Sequence, residues 1–410
     1  MSQTIATTHP NTDTLIAPLP GNSSISPQWL ESVLHQRSII SPNTTVESVE
    51  LTDLSENRGL SGSMKRLIIS YANTEDSFPN LKTLVMKRST DSEEGRKTCL
   101  SYKQYREAQF YASDLVAKVP FGPSSHVLYA YGNGEIGEYV ILMKDLAKPM
   151  TIGVNMVFGN QIWGRPTFDF ELPQPLDVLE NMFRMAAKCH ATFWNDQDLL
   201  NHKFLKGALF YAGQNKEQFE KAIQISKDGW MACKKRNSES TLFKFSPKLV
   251  EIIEKSLDKP SWDVLQQELT SEPFTLCHGD FHASNMIINV ESGDITMLDW
   301  SEIGVWNPTT DLAQTMISDL NPELFVHSKD MVKKYWDELI RNGISESEFP
   351  FEKCWQSFCK NGPERWIWFL IILAQMPALS DVGIKYFHDQ LLSFIEAHGD
   401  YEYYILKSLI

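Results

Sequence analysis

The sequence predicts an α+β chain of two lobes, a small antiparallel-sheet N-lobe over residues 26–143 and a large helical C-lobe over residues 144–410, preceded by a disordered tail over residues 1–25. Three observations carry this expectation. Segments of β-branched and apolar residues separated by turn signals crowd the first part of the chain. From about residue 176 onward the apolar and aromatic residues recur instead at three- and four-residue spacing. Within that helical half stands one short hairpin, framed by His, Asp and Asn residues. At 410 residues, with 42% hydrophobic and 22% charged, the chain is long enough for two or three cores and has ordinary globular composition.

Taken in order, the first two dozen residues are rich in Thr, Asn, Pro and Ser, carry no Lys or Arg and contain Asp13, so they match neither a secretory signal nor an Arg-rich transit peptide. Ser26-Pro27 opens a helix bearing Trp29, Leu30, Val33 and Leu34, with Ser as N-cap and Pro at the first position. Strands follow at 46–54 and 67–71, flanking Asn57-Arg-Gly-Leu-Ser-Gly-Ser63. There Gly59 and Gly62 could allow a backbone to approach phosphates, with Ser61 and Ser63 as extra donors; taken alone, a two-glycine hairpin is more often an ordinary turn than a nucleotide cover. A third strand, 81–87, puts Lys87 on the same face as Val85, as a phosphate-facing lysine requires.

A helix predicted over 98–116 aligns Glu107, Phe110, Tyr111 and Leu115 on one face. Strands at 127–131 and 138–143, closed by Gly132-Asn-Gly134, complete a five-stranded N-lobe, after which Lys144-Asp145-Leu146 leaves the sheet. Residues 147–175 form an irregular insert, either a substrate-side flap or packed loop, with Phe158, Trp163, Phe168 and Phe170. The helix over 176–194 ends on His190, expected to be a buried, hydrogen-bonded residue, and the regions 196–270 and 320–410 are mostly helical.

The hairpin within this helical half carries the chemistry. His278-Gly-Asp-Phe-His-Ala-Ser-Asn285 leads into strands at 286–290 and 295–298, joined by Glu291-Ser-Gly-Asp294 and followed by Asp299-Trp300. Phosphoryl transfer needs a carboxylate to accept the proton of the attacking hydroxyl, together with hard oxygen ligands for magnesium. Asp280 fits the first role, and Asn285 with Asp299 fit the second, because the hairpin brings its two ends together. The tripeptide His-Gly-Asp alone is an ordinary turn; the ordered pattern with its strands is what points to this chemistry.

At this point the chain resembles the aminoglycoside phosphotransferase and choline kinase-like group, with its ecdysteroid-kinase-like branch. Leu276-Cys-His-Gly-Asp280, Asp299-Trp300, Pro308-Thr-Thr-Asp311-Leu-Ala313, Arg106-Glu-Ala-Gln-Phe-Tyr111 and Cys189-His-Ala-Thr-Phe-Trp194 carry the resemblance, which spans most of residues 45–320. It implies a two-lobed protein-kinase-like fold and ATP- or GTP-dependent, Mg²⁺-dependent phosphorylation of a small-molecule hydroxyl. It makes Glu107 the partner of Lys87, and it places adenine against backbone groups of Leu142, Met143 and Lys144. Asp311 becomes a buried carboxylate bracing the catalytic loop, with His278 in support. The acceptor is expected to be a metabolite, steroid, choline-like amine or antibiotic. A catalytically silent nucleotide- or ligand-binding module is the alternative. A protein kinase fits less well, because Gly279 stands where such enzymes carry Arg and little chain separates Asp299 from Asp311.

Composition narrows the partners. A net charge of −14 argues against a nucleic-acid or anionic-membrane binder. Six scattered cysteines without a C-x-x-C pair suggest neither zinc nor a disulfide framework, and are simplest as reduced thiols of a cytoplasmic protein. The apolar run Trp366–Ala374 spans nine residues, where a membrane span needs about twenty. It is expected to be a buried helix. The oligomeric state is not legible in the sequence.

Overall fold

The computed structural model of the chain describes residues 25–54, 63–90, 92–120, 125–158, 167–211, 213, 215–376 and 379–398. It divides into two compact units, one of residues 1–151 with 299–302, the other of residues 152–298 with 303–410. The first unit runs to residue 151 and takes in a four-residue segment beginning at Asp299.

In the first unit, α1 (Pro27–Gln36) starts where Ser26 Oγ accepts the Trp29 N–H at 3.1 Å, with Pro27 at the first position. The strands β1 (Thr45–Asp53), β2 (Ser63–Ala72), β3 (Thr83–Arg88), β4 (Val127–Asn133) and β5 (Glu138–Lys144) form one sheet in the order β1-β2-β3-β5-β4, and the pairs are antiparallel. Alternation along β3 decides its two faces. Leu84 and Met86 join Leu30, Val33, Leu34, Leu67, Ile69, Val140 and Leu142 in one apolar cluster with α1, which leaves Val85 and Lys87 on the opposite face.

The single helix expected over 98–116 is three: α2 (Glu93–Tyr102), α3 (Tyr105–Tyr111) and α4 (Leu115–Lys118). Lys103 ends α2 in the left-handed region at φ 52°, which stops the helix and re-aims the chain so that Arg106, Glu107, Ala108, Phe110 and Tyr111 are all buried. Leu115 belongs to the next helix, not to the face of Glu107. The β4–β5 turn also moves. Its bend lies over residues 134–137, with Gly137 at φ 69° and its N–H on the Asn133 carbonyl at 3.1 Å. Gly132 stays within β4 because a Cβ there would stand 2.5 Å from the Tyr105 carbonyl oxygen. This glycine permits close approach of a helix rather than a turn.

The second unit contains β6 (Thr151–Gly153, beginning at the boundary residue), α5 (Asn155–Phe158), α6 (Pro175–Thr192), α7 (Ala208–Tyr211), α8 (Lys216–Glu239), α9 (Pro247–Leu257), α10 (Trp262–Ser271), β7 (Thr275–Cys277), β8 (Met286–Asn289), β9 (Ile295–Met297), β10 (Gly304–Trp306), α11 (Thr309–Asp319), α12 (Ser328–Arg341), α13 (Phe351–Gln375) and α14 (Asp381–Ala397). The insert read as irregular therefore opens with a short strand and a helical turn. The hairpin is present, with Met286 opposite Met297 and Ile288 opposite Ile295. A second small pairing joins β7 to β10.

Around them pack the long helices, and α11 is buried along nearly its whole length. The apolar run 366–374 closes α13, with Pro363 inside the helix and Trp366, Ile367, Leu370 and Ile371 buried. Among the described residues, no helix is long and apolar enough to cross a membrane. All six cysteines are buried and unpaired. The architecture is the expected α+β one, a small antiparallel sheet unit and a helix-rich unit.

Candidate active site

In the first unit, β3 and α3 converge on one cation. Lys87 Nζ lies 2.7 Å from Glu107 Oε2 and 2.8 Å from Asp299 Oδ1, joining residues 212 positions apart. Glu107 is buried and fully used. Its Oε1 accepts the Tyr111 hydroxyl at 3.1 Å and the Trp300 N–H at 3.1 Å. Arg106 donates to the Ser301 carbonyl at 3.1 Å and meets Glu302 at 3.4 Å. The adjacent pair Arg106-Glu107 thus grips the segment that follows Asp299, which explains why residues 299–302 group with the sheet. Phe110 and Trp300 pack together with tilted rings, centroids 5.2 Å apart.

Burial alone would depress the Lys87 ammonium, but Glu107 and Asp299 outweigh it and push its pKa up, so Lys87 stays charged. Burial raises the Glu107 carboxyl, opposed by Lys87. Asp299 itself sits at φ 54°. A left-handed aspartate is uncommon and costs on the order of 1 kcal/mol or more, the kind of strain that gathers at functional positions.

In the second unit, the loop 278–285 is held from one helix face. Asp311 accepts the His278 N–H at 2.8 Å and the Gly279 N–H at 3.0 Å. Gln314 Nε2 reaches Asp280 Oδ1 at 3.3 Å, Thr315 bonds the Phe281 carbonyl at 2.5 Å, and Asp319 accepts the Ala283 N–H at 2.8 Å. The four residues lie three, four and eight positions apart, hence on one stripe of α11. Arg365 of α13 donates to the Gly279 carbonyl.

His278 Nε2 lies 2.9 Å from the Leu298 carbonyl, which can only accept, and the Asp280 N–H points at His278 Nδ1 at 3.3 Å. These contacts select the neutral tautomer protonated on Nε2. The ring ties the loop to the residue before Asp299. The Leu298 N–H completes that tie by donating to the Asn285 carbonyl at 2.8 Å.

Asp280 is held as a carboxylate. Asn285 Nδ2 donates to Asp280 Oδ2 at 3.0 Å, and His282 Nε2 lies 3.3 Å from the same oxygen. Burial would raise this carboxyl, yet His282 and Arg365 hold it well below the usual range. Because the Asn285 amide nitrogen is spent on the Asp280 carboxylate and carbonyl, both at 3.0 Å, its oxygen is the atom left to face a ligand.

Gly59, Ser61 and Gly62 lie outside the described residues. Ser63 is the first residue of β2, paired with Arg88. Leu142, Met143 and Lys144 are strand residues flanked on both sides, opposite Met86, Val85 and Leu84 in β3 and beside β4. The Lys144 N–H is already on the His126 carbonyl at 2.8 Å, so it is no donor for a purine. The chain leaves the sheet at Asp145.

One cluster has the spacing of a metal site. His190, Cys277 and Asp311 present ligand atoms within 4.8 Å of one another. Its chemistry is not that of magnesium, which prefers oxygens. Its atoms are also occupied: His190 bonds the Tyr335 hydroxyl at 2.9 Å and approaches Asp311 at 3.4 Å, while burial pushes the Cys277 thiol up and keeps it protonated. This is a hydrogen-bond cluster under the loop.

His282, Gln314, Thr315, Asp319 and Arg365 were not singled out from sequence. The α11 residues had a signal, polar side chains at four-residue intervals (Asp311, Thr315, Asp319) inside an otherwise apolar helix. Arg365 had none, since it stands on a distant helix.

Residues 178–344 match the sequence profile of the Ecdysteroid kinase-like family. The match covers the segment bearing Asp280, Asn285, Asp299 and Asp311 and agrees with the resemblance read from the motifs. No curated protein sequence matches the chain. Among solved structures it is similar to a choline kinase from Cryptosporidium parvum Iowa II, at 9% identity over 92% of this chain and 97% of that one, TM-score 0.48. It is also similar to choline kinase LicA from Streptococcus pneumoniae, at 13% identity over 90% and 99%, TM-score 0.43, and to a Plasmodium vivax ethanolamine kinase, at 11% identity over 91% and 90%, TM-score 0.43.

Proposed function

We propose that the protein is an ATP- and Mg²⁺-dependent phosphotransferase that phosphorylates a hydroxyl group of a small molecule. The observation that carries this reading is Lys87, a charged ammonium held between the buried Glu107 and the left-handed Asp299 at 2.7 and 2.8 Å. A lysine so placed is a preorganised counter-charge for phosphate oxygens, and the family match over residues 178–344 supports the same class.

In this reading Asp280 accepts the proton of the acceptor hydroxyl. The oxygen bonds the γ-phosphorus of ATP, the bond to the β–γ bridging oxygen breaks, and ADP leaves with that electron pair. The residues present fit magnesium, because Asp299 offers a carboxylate and Asn285 an amide oxygen, both hard ligands. When bound, the ion would neutralise charge on the transferring phosphates. Lys87 orients the phosphates, and the bonds from Asn285 and Gln314 fix which way the Asp280 carboxylate faces. With Lys144 committed to the sheet, purine contacts fall to the residues after it, from Asp145 on.

Calorimetric titration of Mg-ATP tests the assignment. Asp299→Ala is expected to abolish Mg²⁺-dependent binding and Asn285→Ala to weaken it less, since a carboxylate brings a formal charge and an amide only a dipole. Equal affinity for wild type and Asp299→Ala removes Asp299 from the metal site.

A further inference from the structure

Away from these residues, the helix-rich unit contains a cavity of about 510 Å³ lined by, among others, Trp194, Tyr211, Glu272, Phe274, Glu348 and Phe349. That volume suits a small organic ligand. Its aromatic walls come as two pairs, Trp194 with Phe349 at 5.1 Å between centroids and Tyr211 with Phe274 at 4.8 Å. Two carboxylates and one lysine, Lys353, share the lining. Glu348 is exposed yet fixed, accepting from Trp194 Nε1 at 3.3 Å and Asn195 Nδ2 at 3.4 Å. Glu272 is the unusual member: its Oε2 is buried and has no hydrogen-bond partner among the described residues. Lys353 does not supply one, since its Nζ is directed to the Ser271 carbonyl at 3.4 Å.

A buried carboxylate oxygen left without a donor costs more than a kilocalorie or so and calls for an N–H or O–H from elsewhere. Aromatic walls beside net negative charge favour a cation over an anion. A quaternary ammonium brings charge but no N–H; a protonated primary or secondary amine brings both. We propose that this cavity binds a small organic ammonium ion, a protonated amine carried on an apolar or aromatic body.

The site is separate from the catalytic loop. Its lining residues Leu269–Phe274 precede β7, whereas His278 follows it, and four residues of extended chain span roughly 13 Å. Phe274 is fixed there by Asn195, which donates its N–H to the Phe274 carbonyl at 2.8 Å and accepts the Phe274 N–H on its side chain at 3.0 Å. Burial pushes the Glu272 carboxyl up, opposed by Lys353 and Lys360, and an ammonium ion would reverse that rise. The inference does not depend on the activity proposed above.

Calorimetry on the full chain near neutral pH tests it with phenethylamine, its alcohol counterpart 2-phenylethanol, and the anion 3-phenylpropanoate. Saturable one-site binding is expected for the amine alone. Glu272→Gln is expected to weaken it about tenfold or more, consistent with losing a charged hydrogen bond. Glu348→Gln, at an exposed position where misfolding is not at issue, is expected to weaken it a few-fold. Asp280→Asn should leave it unchanged. Absence of amine binding, equal binding of amine and alcohol, or binding that survives both glutamate variants but fails in Asp280→Asn would overturn the proposal.

Discussion

Two clusters, one in each unit, are built by different physics. In the sheet unit, the cluster is made of charges: one ammonium, Lys87, shared by two carboxylates, Glu107 and Asp299. In the helix-rich unit, the loop bearing Asp280 is held mostly by backbone groups bonded to a polar stripe of α11, through Asp311, Thr315 and Asp319. In the first arrangement the bonds run between charged side chains, so one oxyanion could take the place of another on Lys87. The second has no such alternative, because a buried N–H without its acceptor costs its full desolvation.

Substitutions can break that contrast, and the largest expected effect is on chemistry. Asp280→Asn should lower kcat by about 10²–10⁴, the usual worth of general-base assistance, while Mg-ATP affinity measured by calorimetry barely moves. Wild-type turnover in this variant, with chemistry rate-limiting, removes Asp280 from the role.

Next comes the charged cluster. Lys87→Met leaves Glu107 buried and uncompensated, and should cost about 3–5 kcal/mol in denaturant unfolding. The double variant Lys87→Met/Glu107→Gln should recover part of that loss, since Tyr111 and the Trp300 N–H can still bond a neutral amide. Additive losses would mean that the pair is not coupled.

Asp311→Asn probes the braced loop. It offers one oxygen where two backbone N–H groups need acceptors, and turns an NH₂ toward the other, so about 2–4 kcal/mol should be lost. Unlike the Lys87 loss, this one should be insensitive to added salt, because the partners are dipoles inside the protein. A salt-dependent Asp311→Asn defect would erase the distinction drawn above.

The smallest effect concerns acid stability. Burial lowers the His126 pKa to about 4, Lys144 adding to the shift. The folded state therefore keeps this ring neutral while the unfolded chain protonates it near the ordinary 6.5. Its contribution is complete above about pH 6.5 and is lost as pH falls through about 4. Unfolding midpoints across that window should fall less steeply in His126→Phe than in wild type.

What the sequence disclosed follows from locality. The α1 cap, the β8–β9 hairpin and the strand position of Lys87 each rest on residues within a few positions, where propensity and alternation act directly. The unbroken helix over 98–116 failed because nothing local announces that Lys103 adopts a left-handed conformation, and the turn at Gly132–Gly134 failed because a helix from elsewhere needed the space at Gly132. Asp280, Asn285 and Asp299 stood out as chemistry-bearing types in an ordered pattern. Gln314 and Arg365 did not, since only the packing of α11 and α13 brings them to Asp280 and Gly279. Leu142–Lys144 were assigned to a purine by analogy of position, and the sheet register takes the Lys144 N–H away from that task.

The central claim is that Asp280, Lys87 and Asp299 serve phosphoryl transfer to a small alcohol. Transfer of labelled γ-phosphate from ATP tests it most directly, with hydroxylated steroids, choline-like amines, aminoglycosides and a serine peptide compared at matched concentration. The account predicts a Mg²⁺-dependent phosphate monoester of a small molecule, formed by wild type and nearly lost in Asp280→Asn. Robust peptide phosphorylation with no small-molecule product, or a product formed equally by Asp280→Asn, would contradict it.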